Sequence, residues 1–147
     1  MILADAAATE AVGRALATVV RVGDAIALFG DLGAGKTTLS RGLLAGLGLM
    51  GEAPSPTFAI VQPYAPPEVT VPVAHVDLYR IADPDDAAEL GLDDYRADGV
   101  LLVEWPERIG AGAWDDALQL FLLATPDGAR RLTAKLPPSW EQRWPFP

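Results

Sequence analysis

The chain has 147 residues, with 11 basic and 20 acidic side chains, a formal net charge of −9 and no cysteine. Half of the residues are hydrophobic and 21% are charged, which is typical of a folded soluble protein and excludes a disordered one. The absence of cysteine excludes disulfides, thiolate metal sites and a cysteine nucleophile, and we expect a cytoplasmic protein. The acidic excess excludes phosphate-backbone attraction as the main route to a polynucleotide, so any contact with nucleic acid should be indirect.

We expect one domain over residues 1–147, because this length is sufficient for one hydrophobic core and too short for two ordinary ones. No segment approaches the ~18 uninterrupted apolar residues that a membrane span requires, so no membrane partner is expected. The N-terminus lacks the basic region of a signal peptide. Residues 137–147 follow no regular pattern and are predicted to form an irregular tail.

The first half of the chain alternates helical and strand patterns. Apolar residues at helical spacing predict a first helix within 5–20, and the apolar run AIALF predicts a strand over 25–29. A second helical pattern runs from Lys36 to Leu47. Residues 54–64 and 69–80 then form two β-prone runs. Residues 25–47 are thus predicted to form a strand, a glycine-rich loop and a helix, in that order.

The second half is richer in strand patterns. Pro72 indicates that the run over 69–80 lies at a sheet edge or begins late. Residues 83–92 begin with capping chemistry and predict a short helix, and GVLLVEW, residues 99–105, predicts a buried strand. Two β-prone runs, 117–125 and 129–136, flank the turn PDG and predict an antiparallel hairpin.

The loop from Gly30 to Thr37, GDLGAGKT, matches the phosphate-binding loop pattern in full. Its glycines permit backbone angles at which successive N–H groups form a nest for an anion, and the helix that follows adds its positive end. Lys36 is one of only two lysines, and its compact ammonium can reach β and γ phosphate oxygens. The predicted nucleotide-binding residues of this loop are Asp31, Leu32, Gly33, Ala34, Gly35, Lys36, Thr37 and Thr38.

The expected ligands are ATP and Mg²⁺. The chain contains no asparagine, and therefore lacks the Asn-Lys-x-Asp element of guanine-selective proteins, which favours ATP. The Thr37 hydroxyl is the predicted protein ligand of Mg²⁺ on the loop. A P-loop ATPase also needs a carboxylate at the end of a neighbouring strand, and both Glu104 and Asp77 are candidates.

Glu104 follows the cleaner apolar run, so we predict it on the metal side of the site. Asp77 is predicted to order the attacking water or the shell around Mg²⁺. Which of the two carboxylates lies closer to the metal is left open by the sequence. Lys36, Asp77 and Glu104 are the predicted catalytic residues. His75, the single histidine, is interpreted as a strand residue rather than a catalyst.

Five segments, in this order, resemble the TsaE family of bacterial P-loop ATPases that act in tRNA threonylcarbamoyladenosine biosynthesis. They are GDLGAGKTTLSRGL, SPTF, HVDLYR, ELGLDDY and VEWPER, and they run from Gly30 to Arg108. The resemblance implies a small α/β ATPase that acts with two partner proteins, TsaB and TsaD. It also implies that tRNA is reached only through these partners.

The resemblance assigns roles residue by residue. It implies that Thr37 and Glu104 bind Mg²⁺, that Ser55–Phe58 form a switch-like segment, and that Asp77 is the acid of the HVDLYR motif. The tryptophan that follows the glutamate in this family corresponds to Trp105.

An arginine in the last hairpin touches the nucleotide in some members of the family. Arg130 is the nearest match, with Arg131 as the adjacent alternative.

The combined patterns predict an α/β fold of the P-loop NTPase type, a three-layer sandwich. The central sheet is mainly parallel, with an antiparallel hairpin at one edge and helices on both faces. The predicted function is a Mg²⁺-dependent ATPase that is slow alone. Two alternatives stay open: a small-molecule kinase, and an assembly module that responds to nucleotide without essential turnover.

Overall fold

The computed structural model describes residues 1–51, 53, 60–110 and 112–147. Its α-helices are α1 (Ala6–Ala17), α2 (Lys36–Gly46) and α3 (Leu92–Asp98). Its strands are β1 (Ile2–Leu3), β2 (Ala25–Phe29), β3 (Val61–Tyr64), β4 (Val73–Asp77), β5 (Val100–Glu104), β6 (Leu118–Ala124) and β7 (Arg130–Lys135). Short 3₁₀ helices lie at Pro84–Leu90, Pro106–Ile109 and Pro138–Trp140. Among the helices of these residues, none is long and apolar enough to cross a membrane.

The strands form one sheet in the order β1-β7-β6-β2-β5-β4-β3. The central strands β6, β2, β5 and β4 are parallel to one another, and β7 pairs antiparallel with β6. The predicted α/β fold, with a mainly parallel sheet and an edge hairpin, is therefore confirmed. The opposite edge also carries an antiparallel strand, β3.

Of the two possibilities that Pro72 raised, the late strand start is correct, because β4 begins at Val73, directly after the proline. The edge position is wrong, because β4 lies inside the sheet, next to the edge strand β3. The prediction of one short helix over 83–92 was incomplete. Pro84–Leu90 is a 3₁₀ helix, and Gly91 separates it from α3 with φ of 69°. The acidic sequence of α3 has too few apolar residues to show a helical period, and β1 has only two residues, so neither was predicted.

The alternating side chains of the central strands divide the core between the two faces of the sheet. Ile26 and Leu28 belong to the cluster that also contains residues of α1 and α2. Ala25 and Ala27 belong to a second cluster on the other face, which includes Leu92 of α3. This arrangement is the predicted three-layer sandwich, and the parallel strands of its middle layer end at one edge.

Two glycines bring α1 and α2 into backbone contact. A Cβ atom on Gly13 would lie 2.1 Å from the carbonyl oxygen of Leu39, and a Cβ atom on Gly42 would lie 2.1 Å from that of Glu10. No side chain fits at these distances. Since α2 starts at the phosphate-loop lysine, this close packing also fixes the position of the loop relative to α1.

The C-terminal tail is anchored to the sheet by an ion pair. Arg143 donates hydrogen bonds from Nη1 and Nη2 to the two carboxylate oxygens of Asp24, each 2.8 Å long. Both side chains are 9% exposed. The Arg143 guanidinium also lies 4.2 Å from the ring centre of the buried Trp140. The tail therefore packs as part of the core, although its sequence shows no regular pattern.

Replacing Arg143 by methionine should leave Asp24 buried without its cation and lower the free energy of unfolding by about 3 kcal/mol. Arg14→Met is the matched control, because Arg14 pairs with Glu10 at the surface and its loss should cost less than about 1 kcal/mol. Urea denaturation followed by circular dichroism measures both. Equal, small losses in the two variants would show that the Arg143–Asp24 pair does not stabilise the fold.

Candidate nucleotide site

The predicted phosphate loop joins β2 to α2 and contains three glycines with positive φ. Gly30, Gly33 and Gly35 have φ values of 153°, 80° and 107°, which residues other than glycine rarely adopt. Gly30 also has no space for a side chain, because its Cβ would lie 2.6 Å from the Leu122 carbonyl oxygen. Gly35 is the N-terminal cap of α2, so the loop ends where the helix presents its free N–H groups.

Within the described part of the chain, the Lys36 ammonium donates its hydrogen bond to a carbonyl oxygen and forms no ion pair with a carboxylate. Nζ donates to the Gly30 carbonyl oxygen at 2.5 Å and lies 3.3 Å from the ring centre of Trp105. The residue is 4% exposed, and burial lowers the pKa of its ammonium, while the charges of Glu104 and of three other carboxylates act in the opposite direction. An anion bound at the loop would supply the missing negative charge.

Glu104 joins the loop helix to the sheet. The Thr37 hydroxyl donates to Glu104 Oε1 at 2.9 Å, and Nε2 of His75 lies 2.7 Å from Glu104 Oε2. Glu104 is 3% exposed and His75 is wholly buried. The two residues predicted to bind Mg²⁺, Thr37 and Glu104, are therefore in direct contact.

The donor set fits Mg²⁺. A hydroxyl and a carboxylate are the hard oxygen ligands that this ion prefers. Glu104 is a buried carboxylate whose two hydrogen-bond partners in the described part of the chain include no lysine or arginine. A divalent cation beside Oε1 would neutralise it. Thr37 and Glu104 are thus the residues that would hold the metal.

Asp77 lies beside Glu104 but has a different environment. The parallel register of β4 and β5 places the two residues opposite each other at the carboxyl ends of their strands. The Asp77 carboxylate accepts a hydrogen bond from the backbone N–H of Tyr79 at 2.8 Å, and the residue is partly exposed. Asp77 is therefore close enough to the two predicted metal-binding residues to face the same ligand. The hydrogen bonds of Glu104 given above do not include it.

Trp105 covers the lysine. It is the one non-glycine residue with positive φ in the described ranges, at 58°, and this left-handed backbone directly follows β5. Its ring lies 4.9 Å from that of Tyr79, and the Arg108 guanidinium lies 5.2 Å from the Tyr79 ring. The left-handed backbone of Trp105 is strained, which costs on the order of 1–3 kcal/mol. Such strain persists only where surrounding contacts fix it, often at functional sites.

Arg130 borders the same loop. Its Nη2 donates to the Gly33 carbonyl oxygen at 3.1 Å, across 97 residues of sequence. Arg130 lines a cleft of about 220 Å³ together with the phosphate loop and the start of α1, and the residues lining this cleft do not include Arg131. The structure thus favours Arg130 over Arg131 as the arginine beside a bound nucleotide, and its role stays a prediction.

Some parts of the site were not anticipated and one lies outside the described residues. Asp5 and Thr9 of the α1 region line the cleft, although nothing in their local sequence indicates a ligand. The contact of His75 with Glu104 was also missed, because a single histidine in an apolar run is typical of a strand interior. The predicted switch-like segment Ser55–Phe58 falls outside the described residues.

Comparison with known proteins agrees with the resemblance noted in the sequence. Residues 3–132 match the family model described as Threonylcarbamoyl adenosine biosynthesis protein TsaE. The chain is 38% identical over 126 residues to the tRNA threonylcarbamoyladenosine biosynthesis protein TsaE of Bacillus subtilis, covering 85% of this chain and 77% of that protein. It is 44% identical over 109 residues to the Streptomyces coelicolor protein of the same name, covering 74% of each.

The chain also has the fold of a solved structure. The crystal structure of Bacillus subtilis YdiB superposes with a TM-score of 0.80 at 31% sequence identity, covering 97% of this chain and 88% of that one. The family match begins within β1, ends within β7 and includes every residue named above in the candidate site. On this evidence the chain belongs to the TsaE family.

Proposed function

We propose that this chain is a Mg²⁺-dependent ATPase that serves tRNA threonylcarbamoyladenosine biosynthesis together with the partner proteins TsaB and TsaD. The observation that carries the proposal is the hydrogen bond between Thr37 and Glu104 beside the ammonium of Lys36. The bond joins a hydroxyl to a strand-end carboxylate, and Lys36 adds the cation, which together are the three groups that a P-loop ATPase needs at the phosphates. The role in tRNA modification is supported by the names of the curated relatives.

Each group has a distinct task in phosphoryl transfer to water. The loop amides and the N-terminus of α2 cradle the phosphates, and Lys36 neutralises charge on the β and γ oxygens. Thr37 and Glu104 hold Mg²⁺, which supplies further charge neutralisation when bound. Asp77, which lies opposite Glu104 at the end of the neighbouring strand, would orient the attacking water. Such a site acts by positioning and electrostatics, so a partner that completes it would raise the rate.

The net charge of the chain indicates how it would reach tRNA. With a net charge of −9, the protein lacks the excess of lysine and arginine that binds a phosphate backbone. We therefore propose that it reaches tRNA chemistry by docking on TsaB and TsaD rather than by binding tRNA itself. We also propose a cytoplasmic location, which the proposed role in tRNA modification supports.

Lys36→Ala tests the phosphate loop directly. Removing the ammonium should weaken ATP binding roughly 10- to 100-fold, since a charge-assisted hydrogen bond contributes about 1.5–3 kcal/mol, and should abolish turnover. Lys135→Ala is the matched control, because Lys135 is the other lysine and lies exposed on β7. Calorimetric titration with ATP and a phosphate-release assay measure the effects. Unchanged ATP affinity and turnover in Lys36→Ala would refute the phosphate-loop assignment.

A magnesium titration of ATPase activity should distinguish the roles of Glu104 and Asp77. Glu104→Gln should raise the Mg²⁺ concentration needed for half-maximal activity at least about tenfold, because a charged oxygen near the metal is lost. Asp77→Asn should mainly lower the rate at saturating Mg²⁺. If the two variants exchange these behaviours, Asp77 is the metal-side carboxylate and Glu104 orients the water.

Partner dependence is tested with purified TsaB and TsaD. The chain should associate with that pair only in the presence of ATP, and the pair should raise its ATPase rate. In a gel shift at physiological salt, the chain alone should leave tRNA unshifted, because it neutralises few phosphates. Tight binding of tRNA by the isolated chain, with no response to TsaB and TsaD, would contradict the proposal.

A further inference from the structure

His75 is a buried group that the proposed mechanism leaves unused. It is the single histidine of the chain, lies in β4 and has no exposed surface. Its Nε2 is 2.7 Å from Glu104 Oε2, while the Thr37 hydroxyl donates to Oε1. The carboxylate of Glu104 is therefore held on one oxygen by the loop helix and on the other by the imidazole.

The surroundings of the ring indicate which nitrogen carries the proton. Within the described part of the chain, Nδ1 of His75 is buried and has no hydrogen-bond partner. A proton on Nδ1 would be a buried donor without an acceptor, which is unfavourable because the N–H group would lose its water and gain no hydrogen bond in return. A proton on Nε2 is instead donated to Glu104, and Nδ1 then keeps only a lone pair. The ring with its proton on Nε2 is therefore the tautomer that this geometry accommodates.

We propose that His75 is the positioning residue of Glu104. Its Nε2–H holds Oε2 and thereby keeps Oε1 directed at the Thr37 hydroxyl, where the magnesium site of the proposed function lies. The terminal torsion of a glutamate is broad, so the contact with Thr37 alone restricts the carboxylate plane less than the two contacts together. Because the imidazole is wholly buried, it acts only through Glu104 and does not touch nucleotide. The inference rests on the proposed function and adds a residue to it.

Three variants separate positioning from simple packing. His75→Leu keeps the volume close and removes the donor, whereas His75→Gln retains an N–H group able to reach Glu104. Val73→Ala is the control, since Val73 precedes His75 by two positions on the same strand face and is 2% exposed. Loss of packing alone should affect Val73→Ala as well as His75→Leu.

Binding of ADP in EDTA, measured by calorimetry, and binding of Mn²⁺ to the ADP complex, measured by electron paramagnetic resonance, are the readouts. In His75→Leu we expect Mn²⁺ affinity to fall roughly 10- to 100-fold, the usual effect of losing a group that orients a metal ligand. ADP affinity in EDTA should stay close to wild type. His75→Gln should recover most of the Mn²⁺ affinity, and Val73→Ala should retain it.

Two results would overturn the role of His75 alone: unchanged Mn²⁺ affinity in His75→Leu, or equal losses in the leucine, glutamine and Val73→Ala variants. A wild-type chain that binds no ADP would instead overturn the proposed function, and the role of His75 with it. The wild-type protein supplies a test that needs no variant to fold. In an untagged, ¹⁵N-labelled sample the single imidazole should show a protonated Nε2, and an unprotonated Nε2 would refute the proposal.

Discussion

The hydrogen bond between Thr37 and Glu104 is the interaction on which the candidate site depends. It joins the first turn of α2 to the end of β5, so that the phosphate loop and the central sheet share one buried carboxylate. The parallel register adds the end of β4, with Asp77 opposite Glu104 and with His75 in contact with the same carboxylate. Three elements that are distant in sequence therefore converge on one charged group.

The rest of the fold holds this junction in place. The backbone contact of α1 with α2 at Gly13 and Gly42 leaves the loop helix little freedom to shift. On the other side, Arg130 reaches from β7 to the carbonyl oxygen of Gly33 in the loop. The Arg143 and Asp24 pair ties the C-terminal tail to the residue that precedes β2, the strand leading into the loop. A rigid frame of this kind suits a site whose chemistry consists of positioning and charge neutralisation.

The sequence predicted the parts of the molecule whose signals are local. The loop from Gly30 to Thr37, the strand that precedes it and the helix that follows are contiguous, so pattern and spacing suffice to define them. The hairpin of β6 and β7 was predicted for the same reason, from two β-prone runs around a PDG turn. Thr37 and Glu104 were paired through family resemblance and the requirements of P-loop chemistry, and the structure brings them into contact.

What the sequence did not predict depends on contacts between distant segments. The meeting of His75 with Glu104 follows from the register of two parallel strands, which no local period encodes. The position of Trp105 over Lys36 depends on a left-handed backbone at a residue that is not glycine. The tail is irregular in sequence and is fixed by Arg143, whose partner Asp24 lies 119 residues away.

The most direct test of the nucleotide site is a crystal structure of the chain grown with Mg²⁺ and a non-hydrolysable ATP analogue. We predict the triphosphate in the loop from Gly30 to Thr37, with Lys36 Nζ on its oxygens and the metal beside Thr37 Oγ1 and the Glu104 carboxylate. A larger cavity of about 480 Å³ lies elsewhere, between the Pro84–Leu90 helix and α3. A nucleotide bound in that cavity, with Lys36 still on the Gly30 carbonyl oxygen, would contradict the assignment of the site to the phosphate loop.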